Sequence, residues 1–351
     1  MKLTTFYPGP SQLYPQVEGY LLDAYQSGVL SMNHRSGAFM DMLGRTIAEI
    51  RSKLDIPADY EIYFTSSATE CWEIISQSLV QTSSHHAFNG AFGQKWFEYA
   101  GRLHPAFSHP FELNQDLNTW RIEQRENAEM LCLTHNETSN GTAIPTQSLQ
   151  KIRRRFEGLI AIDATSSMAG VALPWSMGDV WFASVQKCFG LPSGLGVLVV
   201  SPRAVARAEE IGERNHYNSL LFIRDNFLKN QTPYTPNILG IYLLGQVMAQ
   251  VPPIEVVDRN VGERAKAFYS LLEGSSYELL VNNPEVRSAT VLAIQGSEDF
   301  IGKIKEKAVK QGMLLGNGYG DRKTTTVRIA NFPAIPDTDF VQLRDFLLKY
   351  H

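Results

Sequence analysis

Short apolar runs, each closed by polar residues, constrain this chain more than any other feature. They occupy residues 60–64, 130–133, 159–162, 180–185 and 196–200. Tyr60-Glu-Ile-Tyr-Phe64 alternates, as a strand does, and passes through Thr65-Ser-Ser-Ala-Thr69 into the helical spacing of Trp72, Ile75 and Leu79. The later runs are apolar but for Ser184, the pattern of strands covered on both faces. Strands of that kind, with helical stretches between some of them, predict an α/β fold with a mainly parallel sheet. Functional groups are then expected on the loops at the carboxyl ends of the strands.

At ~100–200 residues per domain, 351 residues suggest a large and a small domain. Residues 1–15 hold three prolines and three aromatics, which reads as an extended, packed arm. Phe39, Leu43, Ile47, Ile50 and Leu54 predict an amphipathic helix over 37–54. From Pro233 to Pro253 a loop leads into a helix. Beyond it come a strand (286–294), a helix (300–311), a strand (325–330) and a helix (340–350). This divides the chain into the arm, a large domain over 16–245 and a smaller α+β domain over 246–351.

A net charge of −4 gives no electrostatic footprint for nucleic acid or anionic membrane. No apolar run approaches the ~20 residues of a spanning helix. The N-terminal stretch lacks the apolar core of a signal peptide. Three cysteines without a CxxC pair suit a reducing compartment, so the expected location is cytoplasmic. His85-His86 stands apart from any metal-ligand spacing and reads as a pair of loop or surface histidines. Gly316-Asn-Gly-Tyr-Gly320 fails the dinucleotide fingerprint, and no Walker A motif occurs.

Two of the apolar runs end in charge. Leu159-Ile-Ala-Ile precedes Asp163, and Val180-Trp-Phe-Ala-Ser-Val-Gln precedes Lys187. A charge at a buried strand end is costly without a partner, so these two residues fit an ordinary ion pair on neighbouring strands. They also fit a pyridoxal phosphate site, with aspartate holding the ring nitrogen and lysine carrying the aldehyde. Thr65-Ser-Ser-Ala-Thr69 could cradle an anion at a helix N-terminus or simply cap the helix. Asn89-Gly-Ala-Phe-Gly93 offers a stacking ring or a core phenylalanine, and His135-Asn-Glu-Thr138 offers a hydroxyl and amides or a capping turn.

Taken in order, further pieces join these: Pro8-Gly-Pro10, Asn33-His-Arg-Ser36, Gly90-Ala-Phe92, Asp163-Ala-Thr-Ser166, Gln186-Lys187, Thr232-Pro233 and Val327-Arg328. On them the chain resembles, nearly end to end, the class V aminotransferases among the fold type I pyridoxal phosphate enzymes, and most of all their phosphoserine branch. The resemblance implies a seven-stranded, mainly parallel sheet in the large domain, pyridoxal 5′-phosphate as cofactor, and a homodimer with shared active sites. It implies small-molecule substrates, O-phospho-L-serine and 2-oxoglutarate, in serine biosynthesis. A serine- or alanine-glyoxylate type aminotransferase is the alternative.

The resemblance also implies residue roles. Lys187 is the Schiff-base lysine and Asp163 the partner of the ring nitrogen. Phe92 stacks on the ring and Thr138 meets its hydroxyl side. Ser67, Ala68, Thr69 and Gln186 hold the cofactor phosphate, with Gln231 and Thr232 reaching it from the second subunit. Arg328 binds the substrate carboxylate. His34 and Arg35, again across the dimer, and Arg322 face the side-chain anion. The sequence departs from the phosphoserine pattern at Ser66-Ser-Ala-Thr69, usually glycine-rich with an arginine, at Gln231, commonly asparagine, and at Asp321-Arg322, where a His-Arg pair is usual.

Overall fold

A computed structural model describes residues 3–119 and 128–350. The outermost residues of the predicted arm and small domain, 1, 2 and 351, lie outside the described residues. The larger sheet has seven strands, in the order Glu61–Thr65, Gly196–Val200, Val180–Ser184, Leu159–Asp163, Met130–Thr134, Ser84–Phe88 and Ala106–Pro110. Gly196–Val200 runs antiparallel to both of its neighbours, and the other pairings are parallel. The strands Met130–Thr134, Leu159–Asp163, Val180–Ser184 and Gly196–Val200 are buried at every position, which is why their sequences read as unbroken apolar runs.

Two strands of this sheet escape that pattern. Ser84–Phe88 contains both histidines, and Ala106–Pro110 is only half apolar. His85 and His86 are each 1% exposed, which corrects the reading of them as loop or surface residues. One ring nitrogen of each is met inside the fold: His85 Nδ1 lies 2.8 Å from His109 Nε2, and His86 Nε2 lies 2.8 Å from Ser84 Oγ. Burial lowers the His86 imidazole to about 3, so it is packed neutral.

Parallel strands deliver their carboxyl ends to one edge, and helices start there. Ser67 caps the helix Ala68–Leu79 by accepting from the Glu70 N–H, while Glu70 reaches back to the Ser66 N–H at 2.6 Å. The helix Ala91–Ala100 begins beyond Phe88 at the same edge.

A second sheet has the order Thr4–Phe6, Met313–Asn317, Thr326–Ala330, Val291–Gln295 and Glu278–Leu279. The N-terminal arm therefore contributes an edge strand, parallel to Met313–Asn317, to the unit built from the C-terminal third. Buried apolar side chains form two clusters, and the helix Ile254–Glu273 serves both. Ile254, Val257 and Val261 pack with the larger sheet, while Phe268 and Leu272 pack with the smaller one.

Candidate active site

Where the carboxyl edge of the large sheet faces the smaller sheet, a cavity of about 490 Å3 opens. Its floor comes from strand ends (Thr134, Asp163, Ser184) and the residues that follow them (Asn136, Thr138, Gln186, Lys187). Its walls are the first turns of two helices, which supply Ala68, Thr69 and Phe92, together with Tyr7–Pro10 of the arm and Asn317–Gly320, Lys323 and Arg328 of the smaller sheet.

Lys187 is buried, and its Nζ donates to Thr138 Oγ1 at 2.7 Å and to Ser166 Oγ at 3.0 Å. The same nitrogen stands 5.1 Å from the centre of the Phe92 ring. Burial lowers the ammonium to about 8, against the raising influence of Asp163 and Glu137. An amine near that value is partly neutral at physiological pH, the form that attacks a carbonyl. Asp163 is buried too, and burial raises its carboxyl, opposed by the Thr165 contact and the Lys187 charge. Its Oδ1 accepts from the Thr165 N–H at 2.9 Å.

At the N-terminus of the helix Ala68–Leu79 the Ala68 N–H donates to Ser184 Oγ at 2.7 Å, fixing the helix against the strand that leads to Lys187. At the other end Arg328 is buried. Its Nε donates to the Asn317 carbonyl and its Nη1 to the Thr138 carbonyl, each at 2.6 Å. Burial lowers its guanidinium, but Tyr7, Glu137 and Tyr319 favour the charge.

Of the residues singled out in the sequence, Ala68, Thr69, Phe92, Thr138, Asp163, Gln186, Lys187 and Arg328 line this one cavity. Ser67 lines an adjoining cleft, which shares Thr69 and Trp72 with it. Gln231, Thr232, His34, Arg35 and Arg322 do not line the cavity. Arg35 Nη1 donates instead to Gln231 Oε1 at 2.6 Å and to Asn226 Oδ1 at 3.3 Å. Thr232 Oγ1 donates to the Tyr234 carbonyl at 2.7 Å.

Sequence reasoning assigned no role to Tyr319, Lys323 or Glu137. Tyr319 and Lys323 line the mouth of the cavity. Glu137 lies beneath Phe92: its Oε2 accepts from the Phe92 and Gly93 N–H groups at 3.2 and 3.3 Å. Its Oε1 accepts from the Ser139 N–H and hydroxyl at 2.9 and 2.6 Å. The motif His135-Asn-Glu-Thr138 contains this residue, but its partners in the Ala91–Ala100 helix are 44 and 45 positions away.

The family model for class-V aminotransferases matches residues 105–299, more than half of the chain. The chain belongs to the class-V aminotransferases. It is 30% identical over 360 residues to the phosphoserine aminotransferase of Corynebacterium glutamicum (strain R), across 97% of this chain and 93% of that protein. The crystal structure of a phosphoserine aminotransferase from Cytophaga hutchinsonii superposes with a TM-score of 0.94 at 32% identity, covering 99% of this chain and 98% of that one. An alanine–glyoxylate aminotransferase from Nostoc sp. shares the fold, with a TM-score of 0.85 at 18% identity over 100% and 95% of the two chains. The likeness to phosphoserine aminotransferases thus extends over nearly the whole chain.

Proposed function

We propose that this chain transaminates O-phospho-L-serine against 2-oxoglutarate in serine biosynthesis, as a homodimer using pyridoxal 5′-phosphate. The observation that carries the reading is the gathering of Lys187, Asp163 and Arg328 around a single cavity. One amine, one carboxylate and one carboxylate receptor are the protein groups that such a reaction needs.

The cavity suits the cofactor. Thr134 Oγ1 and Asn136 Nδ2 are buried at its wall with no hydrogen-bond partner. Unsatisfied buried polar atoms are costly, and a polar ligand relieves them. When bound, pyridoxal phosphate supplies an aldehyde for amino groups and a ring that draws electrons from the substrate Cα.

Around it the chain's own residues divide the work. Lys187 Nζ would carry the cofactor at rest and would move the proton at the substrate Cα. The Asp163 carboxylate would hold the ring nitrogen protonated. Phe92 would stack on the cofactor ring, and Thr138 Oγ1, already bonded to Lys187 Nζ, would hold its hydroxyl. The first turn of the Ala68–Leu79 helix, with Ser67, Ala68, Thr69 and Gln186, takes the phosphate. Arg328 grips the substrate α-carboxylate. Gln231, Thr232, His34 and Arg35 act across the dimer on the other subunit's site, which suits their place outside this cavity. The three free, buried cysteines support a reducing compartment, the cytoplasm. Among the described residues no helix is long and apolar enough to cross a membrane.

The test is twofold. Borohydride reduction of the purified protein with pyridoxal phosphate, followed by peptide mapping, should label Lys187, and label on another lysine refutes the assignment. Steady-state rates with phosphoserine, serine and alanine as donors should rank phosphoserine first. Preference for alanine or serine with glyoxylate would favour the glyoxylate-type alternative.

A further inference from the structure

The strands Met313–Asn317 and Thr326–Ala330 are joined by residues 318–325, and this connection forms one lip of the cavity. Its backbone is tightly fixed. The Gly318 N–H donates to the Thr326 carbonyl at 2.8 Å. A Cβ at position 318 would stand 1.8 Å from the Arg322 carbonyl oxygen, so no side chain fits there. The Arg322 N–H bonds to the Tyr319 carbonyl and the Lys323 N–H to the Gly320 carbonyl, each at 3.1 Å, winding Gly320–Arg322 into a 3-10 turn.

In such a turn residues three apart eclipse one another. Gly320 and Lys323 therefore share a face, and Asp321 and Arg322 occupy the other two. All four residues are exposed, but only Gly320 and Lys323 line the cavity; Asp321 and Arg322 do not. The lip is buttressed by Tyr319. Its ring lies 5.3 Å from that of Phe92 and 5.6 Å from the Arg328 guanidinium carbon, and its hydroxyl accepts from Lys95 Nζ at 2.6 Å. The cavity thus carries positive charge at two depths, Arg328 buried next to Thr138 and Lys323 at the rim.

We propose that Lys323, rather than Arg322, is the residue of this loop that meets the distal anion of the substrate and sets the preference for anionic over neutral side chains. The proposal rests on the phosphoserine reading above. The α-carboxylate goes to Arg328, so a second anion on the same molecule needs a second cation further out. An ammonium on a flexible stem is a point charge with three rotatable donors and no fixed fork. It can serve the phosphate of phosphoserine and, in the other half-reaction, the distal carboxylate of glutamate or 2-oxoglutarate. Asp321, on a different face of the turn, then does not oppose the substrate.

The experiment compares the parent holoenzyme with Lys323→Gln, Lys323→Arg and Arg322→Gln, measuring kcat/KM for phosphoserine, glutamate and alanine. One charge-assisted contact corresponds to about ten-fold or more. Lys323→Gln should lose that factor, through KM, on phosphoserine and glutamate, and stay within about two-fold on alanine. Lys323→Arg should recover most of the loss, and Arg322→Gln should match the parent on all three donors. Calorimetry with glutarate, an unreactive dicarboxylate, reads the same contact without turnover, and Lys323→Gln should weaken it by the same factor. Parent-like phosphoserine kinetics in Lys323→Gln, or a selective loss in Arg322→Gln, overturns the proposal while leaving the functional reading intact. A parent that ignores phosphoserine but turns over alanine overturns both.

Discussion

Burying an ammonium costs free energy that neighbouring carboxylates only partly return, and Lys187 carries that cost whenever it is protonated. Its folded value of about 8 lies below the ordinary 10.5 of an exposed lysine. Between those values the unfolded chain holds a proton that the folded chain has released, so stability rises with pH across that window. Below about 8 both states are protonated and the full cost stands. Relative to Lys187→Met, the cofactor-free parent should gain melting temperature between pH 8 and pH 10. A constant difference across that range would contradict the burial argument. Asp163→Asn isolates a charge rather than a shape. An asparagine oxygen can keep the 2.9 Å bond from the Thr165 N–H, so the variant should fold. It should lose more than about ten-fold in turnover, roughly 1.4 kcal/mol of barrier. The Lys187 ammonium should titrate lower still, because Asp163 is the largest influence holding it up. Steady-state rates read the first effect, and titration of the cofactor-free protein reads the second.

Gly90 precedes the helix Ala91–Ala100 and brings no side chain to cap it. Glu137 does that work from the two-stranded hairpin Asn136–Glu137 and Thr142–Ala143, and in doing so fixes the backbone of Phe92. Glu137→Ala strands the Phe92 and Gly93 N–H groups, at roughly 1–3 kcal/mol for each buried donor left unpaired. The variant should melt earlier and hold pyridoxal phosphate more weakly, while Glu137→Gln, which keeps an acceptor oxygen, should suffer less. Calorimetry and a cofactor titration check this, and equal behaviour of the two variants would count against a capping role. Distance in sequence also explains what could be read beforehand. Strands buried on both faces announce themselves, and those ending in Asp163 and leading to Lys187 were legible for that reason. Ser84–Phe88 was not, because its polar side chains find partners, His109 among them, that the neighbouring strand supplies. Lys323 stayed hidden for another reason: which of three adjacent residues faces inward depends on the winding of one turn.

At the scale of the molecule, Arg35 and Gln231 bond to each other away from the cavity, and the cleft beside Ser67 is edged by exposed Tyr99, Leu103 and Tyr217, the last 65% exposed. Apolar side chains grouped at a cleft fit a protein partner. If a second copy covers them, specific activity should fall on dilution in step with dissociation measured by sedimentation. A fully active monomer would refute shared sites. The arm adds a different consequence. Thr4–Phe6 pairs with residues 313–315, the Ser11 N–H donates to the Gln186 carbonyl at 3.1 Å, and Pro8–Pro10 line the cavity between these two anchors. A ribosome adding ~5–20 residues per second makes the first anchor's partner strand on the order of tens of seconds after the arm itself has emerged. Through that interval the wall of the cavity is held only from the Gln186 side, and the nascent large domain presents Lys187 without its full cover. Completion of the site is thereby tied to synthesis of residues 313–328, so a chain arrested before residue 313 could fold its large sheet yet would lack both the arm's strand partner and Arg328.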